Sequence, residues 1–413
     1  MRVVAPHAVA WLVLALNLSG CVQELGLLGV QERDGGQADA SNDGSSDAVG
    51  QPDRADAGVF VPPRDRSVAA GYDHSCAIGR GGRLLCWGNN EEGQVGDGTF
   101  GEDRPAPTSV VRPVSGWVAV STEEFTTCGI QGNGDLYCWG SGQRGQLGQG
   151  DQTRRPEPTR VPIEGVVDVD VGRNHVCAID NRGALYCWGA NNEGTLGLGD
   201  AFGSPDYYTP QRVGTQTSWE KVSCSSGHSC GLQRDGSLFC WGRNTQQQIG
   251  QDDPSQQFRG PTQVPGRYQD VVAEQSHTCA VQTDGRLACW GLNEEGRLGV
   301  GDTTPRPSPT EIAEQGPFES VSAGWFNTAS IRNGALFLQG WNMFAEFFDD
   351  RDNRLVPTQI GSGSGWTEIS VGRFHYCGRQ SDGLVYCAGS NEFGQLGRVT
   401  DSENRHIPVG IDP

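Results

Sequence analysis

The residues of this chain that could do chemistry are its fourteen cysteines, since a thiol can bind a metal, form a disulfide or carry a lipid. Twelve of them form six pairs, and the two cysteines of each pair stand ten residues apart. The pairs are Cys76 and Cys86, Cys128 and Cys138, Cys177 and Cys187, Cys230 and Cys240, Cys279 and Cys289, and Cys377 and Cys387. Such a regular spacing indicates one local structure that the chain repeats.

A short hairpin accounts for this spacing. The midpoint of each pair is followed by a glycine, and these are Gly82, Gly134, Gly183, Gly236, Gly285 and Gly383. A three-residue hairpin loop has a left-handed residue at its third position, where glycine is favoured. Counting outward from such a loop places the cysteines at a non-hydrogen-bonded pair, where Cα atoms lie about 4.5 Å apart and a disulfide can form. We therefore predict six disulfides, each within one hairpin.

One repeat lacks both cysteines. Ala329 and Leu338 stand in their places, and the interval between them is one residue shorter. The centre falls between Asn333 and Gly334, and Asn-Gly is the preferred sequence of a two-residue type I′ turn. Joint loss of both partners is expected of a covalent pair, and not of metal ligands or scattered thiols.

The two remaining cysteines need separate explanations. Residues 1–20 have the pattern of a signal peptide, with Arg2 before an apolar stretch of roughly ten residues that is too short to cross a bilayer as a helix. The string Leu18-Ser19-Gly20-Cys21 resembles the bacterial lipobox, which implies cleavage before Cys21 and a lipid on its sulfur; an ordinary secretory signal with a chance cysteine is the alternative. Cys224 is expected to be a small buried apolar residue.

Composition separates the chain into three parts. After the signal peptide, residues 21–66 hold the lipidated cysteine and an acidic tether rich in Asp, Ala, Gly and Ser, which cannot bury enough apolar surface to fold. Residues 67–413 contain the repeats. The formal net charge of the whole chain is −19, which disfavours nucleic acid as a partner because phosphate binding depends on lysine and arginine.

The repeat itself predicts the fold. Its pattern returns seven times from Val68 onward at a spacing near 49 residues, with a glycine-rich string such as Gly93-Gln94-Val95-Gly96 after the second cysteine. Each unit offers about four short strands, too few to bury both faces alone, so neighbouring units must stack. We predict an all-β, seven-bladed β-propeller with short four-stranded blades.

Recurring histidines and tryptophans are interpreted as structural. The histidines, His74, His175, His228, His277 and His375, precede the first cysteine of their units. They are spread around a ring, so they are expected to tie loops to backbone, not to form one metal or catalytic centre. The tryptophans should pack between blades. No metal, no cofactor and no enzyme activity is predicted: the strings that resemble the sialidase Asp-box have the wrong length and lack its threonine.

The string from Ala69 to Thr99, with "DHSCAI", "LLCWG" and "GQVGDGT", resembles the regulator-of-chromosome-condensation repeat. The resemblance covers residues 68–411 and implies a seven-bladed propeller that acts mostly through protein–protein contacts. The paired cysteines, the acidic composition and the missing basic tail depart from the chromatin-bound member. Nucleosome binding and guanine-nucleotide exchange are therefore not expected.

The sixth repeat replaces the glycine-rich string with aromatic residues and methionine. The candidate binding residues are Trp325, Phe326, Trp341, Met343 and Phe344. Such side chains are enriched at recognition hot spots. They could instead enlarge the apolar core of a blade that has no disulfide, and this second interpretation is preferred from sequence.

Together these patterns predict a non-catalytic recognition propeller, held by lipid on Cys21 at the bacterial cell envelope, at the outer membrane or cell surface. The expected ligand is a protein, and the expected state is a monomer. The alternative is a carbohydrate-binding, lectin-like propeller, because aromatic loop residues serve sugars equally well.

Overall fold

The computed structural model describes residues 66–200, 204–254, 258–314, 316–342, 350–398 and, for the backbone, 405–411. The predicted signal peptide, Cys21 and the tether as far as Asp65 lie outside the described residues, so their assignments stay predictions. No helix within the described ranges has the length and apolarity that a membrane crossing requires.

The described residues form seven antiparallel sheets, here called blades 1 to 7 in chain order. Blade 1 contains β1 (Val68–Ala70), β2 (His74–Ile78), β3 (Leu84–Gly88) and β4 (Arg104–Ser109). Blade 2 contains β5 (Trp117–Glu123), β6 (Thr126–Gln131), β7 (Leu136–Gly140) and β8 (Arg155–Arg160). Blade 3 contains β9 (Val166–Val171), β10 (His175–Asp180), β11 (Leu185–Gly189) and β12 (Tyr207–Arg212). Blade 4 contains β13 (Trp219–Cys224), β14 (His228–Gln233), β15 (Leu238–Gly242) and β16 (Phe258–Val264).

Blade 5 contains β17 (Tyr268–Glu274), β18 (His277–Gln282), β19 (Leu287–Gly291) and β20 (Arg306–Glu311). Blade 6 contains β21 (Ser320–Ala323), β22 (Asn327–Arg332), β23 (Ala335–Gly340) and β24 (Arg354–Gln359). Blade 7 contains β25 (Trp366–Val371), β26 (His375–Gln380), β27 (Val385–Gly389) and β28 (Arg405–Ile411). A short 3₁₀ turn, Arg80–Gly82, lies in the first hairpin.

The predicted all-β, seven-bladed propeller is confirmed. Each blade pairs its four strands in chain order. The first strands contact one another in a closed circle, from β1 through β5, β9, β13, β17 and β21 to β25 and back to β1. Within the described residues every blade is built from four consecutive strands, so blades 1 and 7 meet there as two four-stranded sheets.

The second and third strands of six blades carry the predicted cysteine pairs. The two cysteines of each pair face each other in register and are bonded as disulfides, with Cα atoms 4.1 or 4.2 Å apart. The bonded pairs are Cys76 with Cys86, Cys128 with Cys138, Cys177 with Cys187, Cys230 with Cys240, Cys279 with Cys289, and Cys377 with Cys387. Each bridge therefore lies within one hairpin, and none joins two blades.

The turns of these hairpins follow from the sequence as well. In blade 2 the loop is Gly132 to Gly134, and Gly134 is left-handed with φ 84°. In blade 6 the turn contains Asn333 at φ 52° and Gly334 at φ 70°, as a type I′ turn requires. The shorter turn accounts for the interval in the sixth repeat that is one residue shorter.

The glycine-rich string of each blade holds the next blade. The backbone carbonyl of Gln94 in blade 1 accepts hydrogen bonds from Trp139 Nε1 at 2.9 Å and Thr127 Oγ1 at 2.8 Å, both in blade 2. At the seam between blades 7 and 1, the carbonyl of Gln395 accepts from Trp87 Nε1 at 2.8 Å and from a serine hydroxyl of β2. The ring therefore closes through the same contacts that join its other blades.

Five buried histidines join neighbouring blades as well. His74 Nε2 lies 2.9 Å from Thr127 Oγ1, and His375 Nε2 lies 2.8 Å from Ser75 Oγ across the seam. His175, His228 and His277 make the same contact with the blade that follows them. The histidines are structural, but their Nε2 partners are hydroxyl groups of the next blade, where the sequence analysis expected backbone.

The apolar core lies between adjacent blades. One cluster joins Ala69 and Val95 of blade 1 with Trp117, Val120 and Trp139 of blade 2. The tryptophans of the repeat are almost wholly buried, as predicted: Trp87, Trp139, Trp188, Trp241, Trp290, Trp117, Trp219 and Trp366. Seven interfaces of this kind replace a single central core.

Candidate functional site

Two sets of loops leave one face of the ring, here called the loop face. The turn from first to second strand and the loop from third to fourth strand start at the same ends of antiparallel strands, so both project from that face. The glycine-rich strings form part of it. Loops on a rigid scaffold are common positions for binding residues.

Five half-buried aromatic side chains of blades 6, 7 and 1 form an aromatic cluster on the loop face. Phe326 and Phe374 stack with ring centroids 5.8 Å apart, and Trp341 lies 5.4 Å from Phe326 and 5.3 Å from Phe374. Trp325 lies 6.2 Å from Phe326 and meets Tyr72 edge to face at 4.8 Å. The cluster thus crosses the seam of the ring.

Two arginines lie against the aromatic cluster. The guanidinium carbon of Arg373 is 4.1 Å from the Tyr72 ring centroid, 4.5 Å from that of Phe374 and 5.1 Å from that of Trp325. Arg297 lies 5.4 Å from the ring of Phe326, and its Nη1 donates to the carbonyl of Trp325 at 2.7 Å. These cation–π contacts hold the rings in place on a largely apolar surface.

The preferred expectation for the sixth repeat was wrong for the residues that the structure describes. Trp325, Phe326 and Trp341 lie in the turns beyond the strand ends, half-buried, and do not enlarge the blade core. That core is filled by smaller side chains, including Ala329 and Leu338, which are 0% and 1% exposed. Met343 and Phe344 lie outside the described residues, so their role stays a prediction.

Sequence analysis missed three members of this surface: Tyr72, Arg373 and Phe374. They occupy the same turn position in blades 1 and 7 as Trp325 and Phe326 do in blade 6. An alignment of the turns "AGYDH", "VGRFH" and "AGWFN" would have found them, provided that blade 1 was known to follow blade 7 in space.

The first strands of all seven blades line a central channel with a cavity of about 120 Å³. Hydroxyl oxygens of Ser121, Ser223, Ser322 and Ser370 each accept a backbone N–H from the next first strand, at 2.9 to 3.1 Å. Side chains therefore link the first strands around the channel, since these strands belong to separate sheets in the described residues.

Arg66 enters this channel from the seam and reaches the opposite wall. Its Nη1 donates to Asp170 Oδ1 at 2.5 Å, its Nε lies 3.1 Å from Asp168 Oδ1, and its Nη2 donates to the carbonyl of Val222 at 2.9 Å. Burial opposes the charge of Arg66, but the two aspartates outweigh that cost and hold its pKa above the ordinary value.

Glu123 and Glu274 are two further channel residues that sequence analysis missed. They stand at the end of the first strand, where blades 1, 3, 6 and 7 have Gly71, Gly172, Gly324 and Gly372. At Gly372 a Cβ atom would meet the Gly71 carbonyl oxygen at 2.1 Å. Blades 2 and 5 use a tighter turn with a left-handed residue after the glutamate, which makes room for the carboxylate. The presence of glutamate where other repeats have glycine is the sequence signal that could have identified these two residues.

Both glutamates are buried, and charged groups are costly there. Burial raises the pKa of Glu123 to about 8, against a hydrogen bond from Trp325 Nε1 at 3.3 Å. Burial and the neighbouring Glu123 raise the pKa of Glu274 well above its ordinary range. A pair of this kind can hold protons or bind a positive charge.

A second cavity of about 170 Å³ opens between blades 3 and 4 and contains three arginines. Each is paired with an acid: Arg144 with Asp206 at 2.5 Å, Arg173 with Glu124 at 3.0 Å and Arg243 with Glu193 at 3.4 Å. The paired charges make this cavity nearly neutral.

Cys224 is buried beside His175 and Cys177, with the potential ligand atoms of the three residues within 4.8 Å of one another. Cys177 is bonded to Cys187, so its sulfur is not a thiolate ligand for a metal. Burial raises the pKa of the Cys224 thiol, which keeps it protonated. The predicted small buried apolar role fits this environment.

A closed propeller of repeated four-stranded units, with an aromatic surface on its loops, is the class of protein that these features define. The chain belongs to the regulator of chromosome condensation (RCC1) repeat family. The family model matches six stretches: residues 81–122, 133–179, 182–232, 235–281, 284–331 and 382–413.

Similar proteins agree with this assignment. The chain is 29% identical over 369 residues to the ultraviolet-B receptor UVR8 of Arabidopsis thaliana, an alignment that covers 86% of this chain and 83% of the receptor. A 228-residue alignment with the human E3 ubiquitin-protein ligase HERC2, at 29% identity, covers 54% of this chain but 5% of the ligase. The relative that aligns over most of both chains is thus named as a receptor, whereas the ligase aligns over a small part of its own length.

Solved structures share the fold. Yeast RCC1 (Prp20), in its complex with Kap60, superposes with a TM-score of 0.70 at 18% identity and covers 90% of this chain and 91% of that chain. Human WBSCR16 superposes with a TM-score of 0.71 at 19% identity and covers 80% of this chain and 94% of that chain. The family supports a protein-interaction module.

Proposed function

We propose that this chain is a non-catalytic recognition propeller that binds a protein partner through the aromatic cluster on its loop face. The observation that carries the proposal is the cluster itself, in which Trp325, Phe326, Trp341 and Phe374 remain half-buried on a rigid ring. Aromatic and arginine side chains in such a setting are the residues that dominate binding energy at protein interfaces. Yeast RCC1, which has this fold, is seen bound to Kap60.

The proposal includes a place in the cell. A lipid on Cys21 would hold the propeller at the envelope of a bacterium, at the outer membrane or cell surface, with the acidic tether as spacer. The six disulfides support an oxidising compartment, because such bridges are rare where thiols are kept reduced. Labelling cells with a radioactive fatty acid tests the anchor: wild type should carry the label and Cys21→Ser should not.

Cross-linking on intact cells tests the partner. A photo-reactive cross-linker on the wild-type chain should capture a protein, and Trp341→Ala and Phe374→Ala should abolish the capture while the melting temperature stays unchanged. Truncation of a hot-spot residue costs about 2 kcal/mol of binding free energy, which is close to thirtyfold in affinity. Phe100→Ala is the matched control, since Phe100 is an exposed aromatic residue outside the cluster.

The same variants separate a protein ligand from a sugar. Binding of the wild-type chain on a glycan array, lost in Trp341→Ala, together with no captured protein, would replace the protein-binding proposal by the lectin-like one. Mutual stacking of Phe326 and Phe374 favours the protein, because sugar sites present a ring face to solvent, whereas these two rings cover each other.

A further inference from the structure

The channel holds more acidic than basic side chains, and the basic ones are already paired. Among the lining residues, Arg66 is bonded to Asp170, and Lys221 is paired with Asp270 of the next blade. No lysine, arginine or histidine of the described ranges forms an ion pair with Glu123 or Glu274. These two carboxyl groups are therefore buried without an ion-pair partner among the described residues, and the nearest cation, Arg173, is paired with Glu124.

One oxygen of this pair also has no hydrogen-bond partner. Glu274 is 8% exposed, it lines the cavity, and no donor among the described residues reaches its Oε1. Such an atom in a buried site is costly unless a ligand or water supplies the missing bond. Glu123 Oε1 is met by the indole N–H of Trp325 from blade 6, so the two glutamates and the tryptophan surround the same end of the channel.

We propose that this end of the channel binds a primary ammonium group, held between Glu123 and Glu274 beside the indole of Trp325. An ammonium group carries one positive charge and three N–H donors, which suits two neighbouring carboxyl groups of which one, Glu274, has an oxygen without a hydrogen-bond partner. Trp325 donates its indole N–H to Glu123 Oε1 and so holds that carboxyl group in position at the site.

A metal ion suits the site less well. Within the described residues, three potential ligand atoms come within 4.8 Å of one another at a single place, His175, Cys177 and Cys224, away from these glutamates. Two carboxylates alone are a sparse set for Ca²⁺, which takes six to eight oxygen ligands. The cavity of about 120 Å³ accommodates an alkylammonium head and the start of its chain.

The protonation of the site agrees with a cationic ligand. Burial raises the pKa of both glutamates, to about 8 for Glu123, and repulsion from Glu123 further raises that of Glu274, so the pair stays protonated at neutral pH until a cation enters. The other charged groups that face the pair are Asp170 and Glu124, which raise these values, and Arg173, which is bonded to Glu124. Binding of an ammonium group should therefore release a proton.

This inference deepens the proposed function and rests on it where the ammonium belongs to a lysine of the partner protein. The same chemistry could come from a free amine. The two sources are distinguished by two probes: n-butylammonium as the free amine, and the capped tripeptide acetyl-Gly-Lys-Gly-amide as a lysine within a chain. Neither probe requires the aromatic cluster to bind a partner, so the channel site and the partner surface can fail separately.

Isothermal titration calorimetry of the full chain in phosphate buffer at pH 7 tests the site. We expect at least one of the two probes to bind and to release about one proton, and we expect tetramethylammonium, which has no N–H donor, not to compete. Glu123→Gln/Glu274→Gln should weaken binding by roughly tenfold or more, because a hydrogen bond to a charged group is lost at each position. Glu220→Gln, the same change at an exposed position of β13, is the matched control.

Several outcomes decide the matter. Binding of the tripeptide supports a partner's lysine, and binding of butylammonium alone supports a free amine. Absence of binding by both probes, or equal binding by wild type and Glu123→Gln/Glu274→Gln, overturns the proposal. Binding of Ca²⁺ in place of the amines also overturns it. Near-ultraviolet circular dichroism of the double variant verifies that its fold is kept.

Discussion

The serine hydroxyl of Ser75 shows how a single side chain fixes the protonation of its neighbour. Ser75 Oγ has one proton, and it donates that proton to the carbonyl of Gln395 at 2.9 Å. The contact between Ser75 Oγ and His375 Nε2 must then be donated by the imidazole, so His375 carries its proton on Nε2. Thr278 repeats the arrangement with His228 and the carbonyl of Gln248.

These neutral histidines predict a loss of stability in acid. Burial lowers the pKa of His375 to about 3 and that of His175 to about 4, whereas the unfolded chain binds protons near pH 6.5. Below pH 6.5 the unfolded state therefore binds more protons, and each histidine costs up to about 1.4 kcal/mol of unfolding free energy per pH unit. Urea unfolding at pH 7, 6 and 5 measures the slope. His375→Gln should reduce the proton uptake by about one; an unchanged slope would contradict the assignment.

The channel glutamates predict the opposite trend at higher pH. Their folded pKa values lie above the unfolded value near 4.5, so their protonated forms favour folding below that pH, and the benefit is lost as the pH rises toward 8. The free energy of unfolding of Glu123→Gln/Glu274→Gln should therefore equal that of wild type near pH 4.5 and exceed it by at least about 1 kcal/mol at pH 8. Unfolding by urea in amine-free buffers measures both free energies. A difference between variant and wild type that becomes smaller as the pH rises would contradict the assigned protonation.

At the scale of the element, the hairpin is the unit that sequence predicts best. The ten-residue cysteine spacing and the following glycine depend on the geometry of two adjacent strands, so both the disulfides and the Asn333-Gly334 turn were predicted from local pattern. The aromatic cluster could not be, because Tyr72 and Phe374 are about 300 residues apart and meet only when the ring closes. Glu123 and Trp325 likewise meet across the channel.

Removal of one disulfide measures how much that bond contributes to the free energy of unfolding. The double change of Cys279→Ala with Cys289→Ala should lower the free energy of unfolding by roughly 2–3 kcal/mol, because the bridge restricts the unfolded chain. The blade should still fold, since Ala329 and Leu338 face each other in the same register in blade 6 without a bridge. Guanidinium unfolding of the oxidised variant checks the first point. Loss of the β-sheet circular dichroism signal in native buffer would contradict the second.

At the scale of the whole molecule, the ring depends on contacts that cross its centre as well as those around it. Arg66 comes just before β1 and is bonded to β9, which belongs to the third blade. Across the seam between blades 7 and 1, Glu368 Oε1 of blade 7 accepts a hydrogen bond from the backbone N–H of Val68 in β1 at 2.8 Å. The start of the propeller is thereby attached to both sides of the closure.

Arg66→Ala tests this crossing contact. The substitution leaves Asp168, whose side chain is 2% exposed, without its cation, and breaking a buried pair in this way costs roughly 3–5 kcal/mol. The melting temperature should fall markedly. Arg286→Ala is the control, because Arg286 pairs with Asp284 at the solvent-exposed surface, and it should melt close to wild type. Equal melting temperatures of the two variants would show that the ion pair in the channel does not stabilise the fold.

Because each sheet is completed by its own stretch of chain, no sheet depends on the polypeptide beginning or ending at a particular place. Circular permutants that start between any two sheets should keep every hydrogen-bonded ladder intact. In a propeller in which one sheet combines strands from both ends of the chain, some of these permutants would divide that sheet.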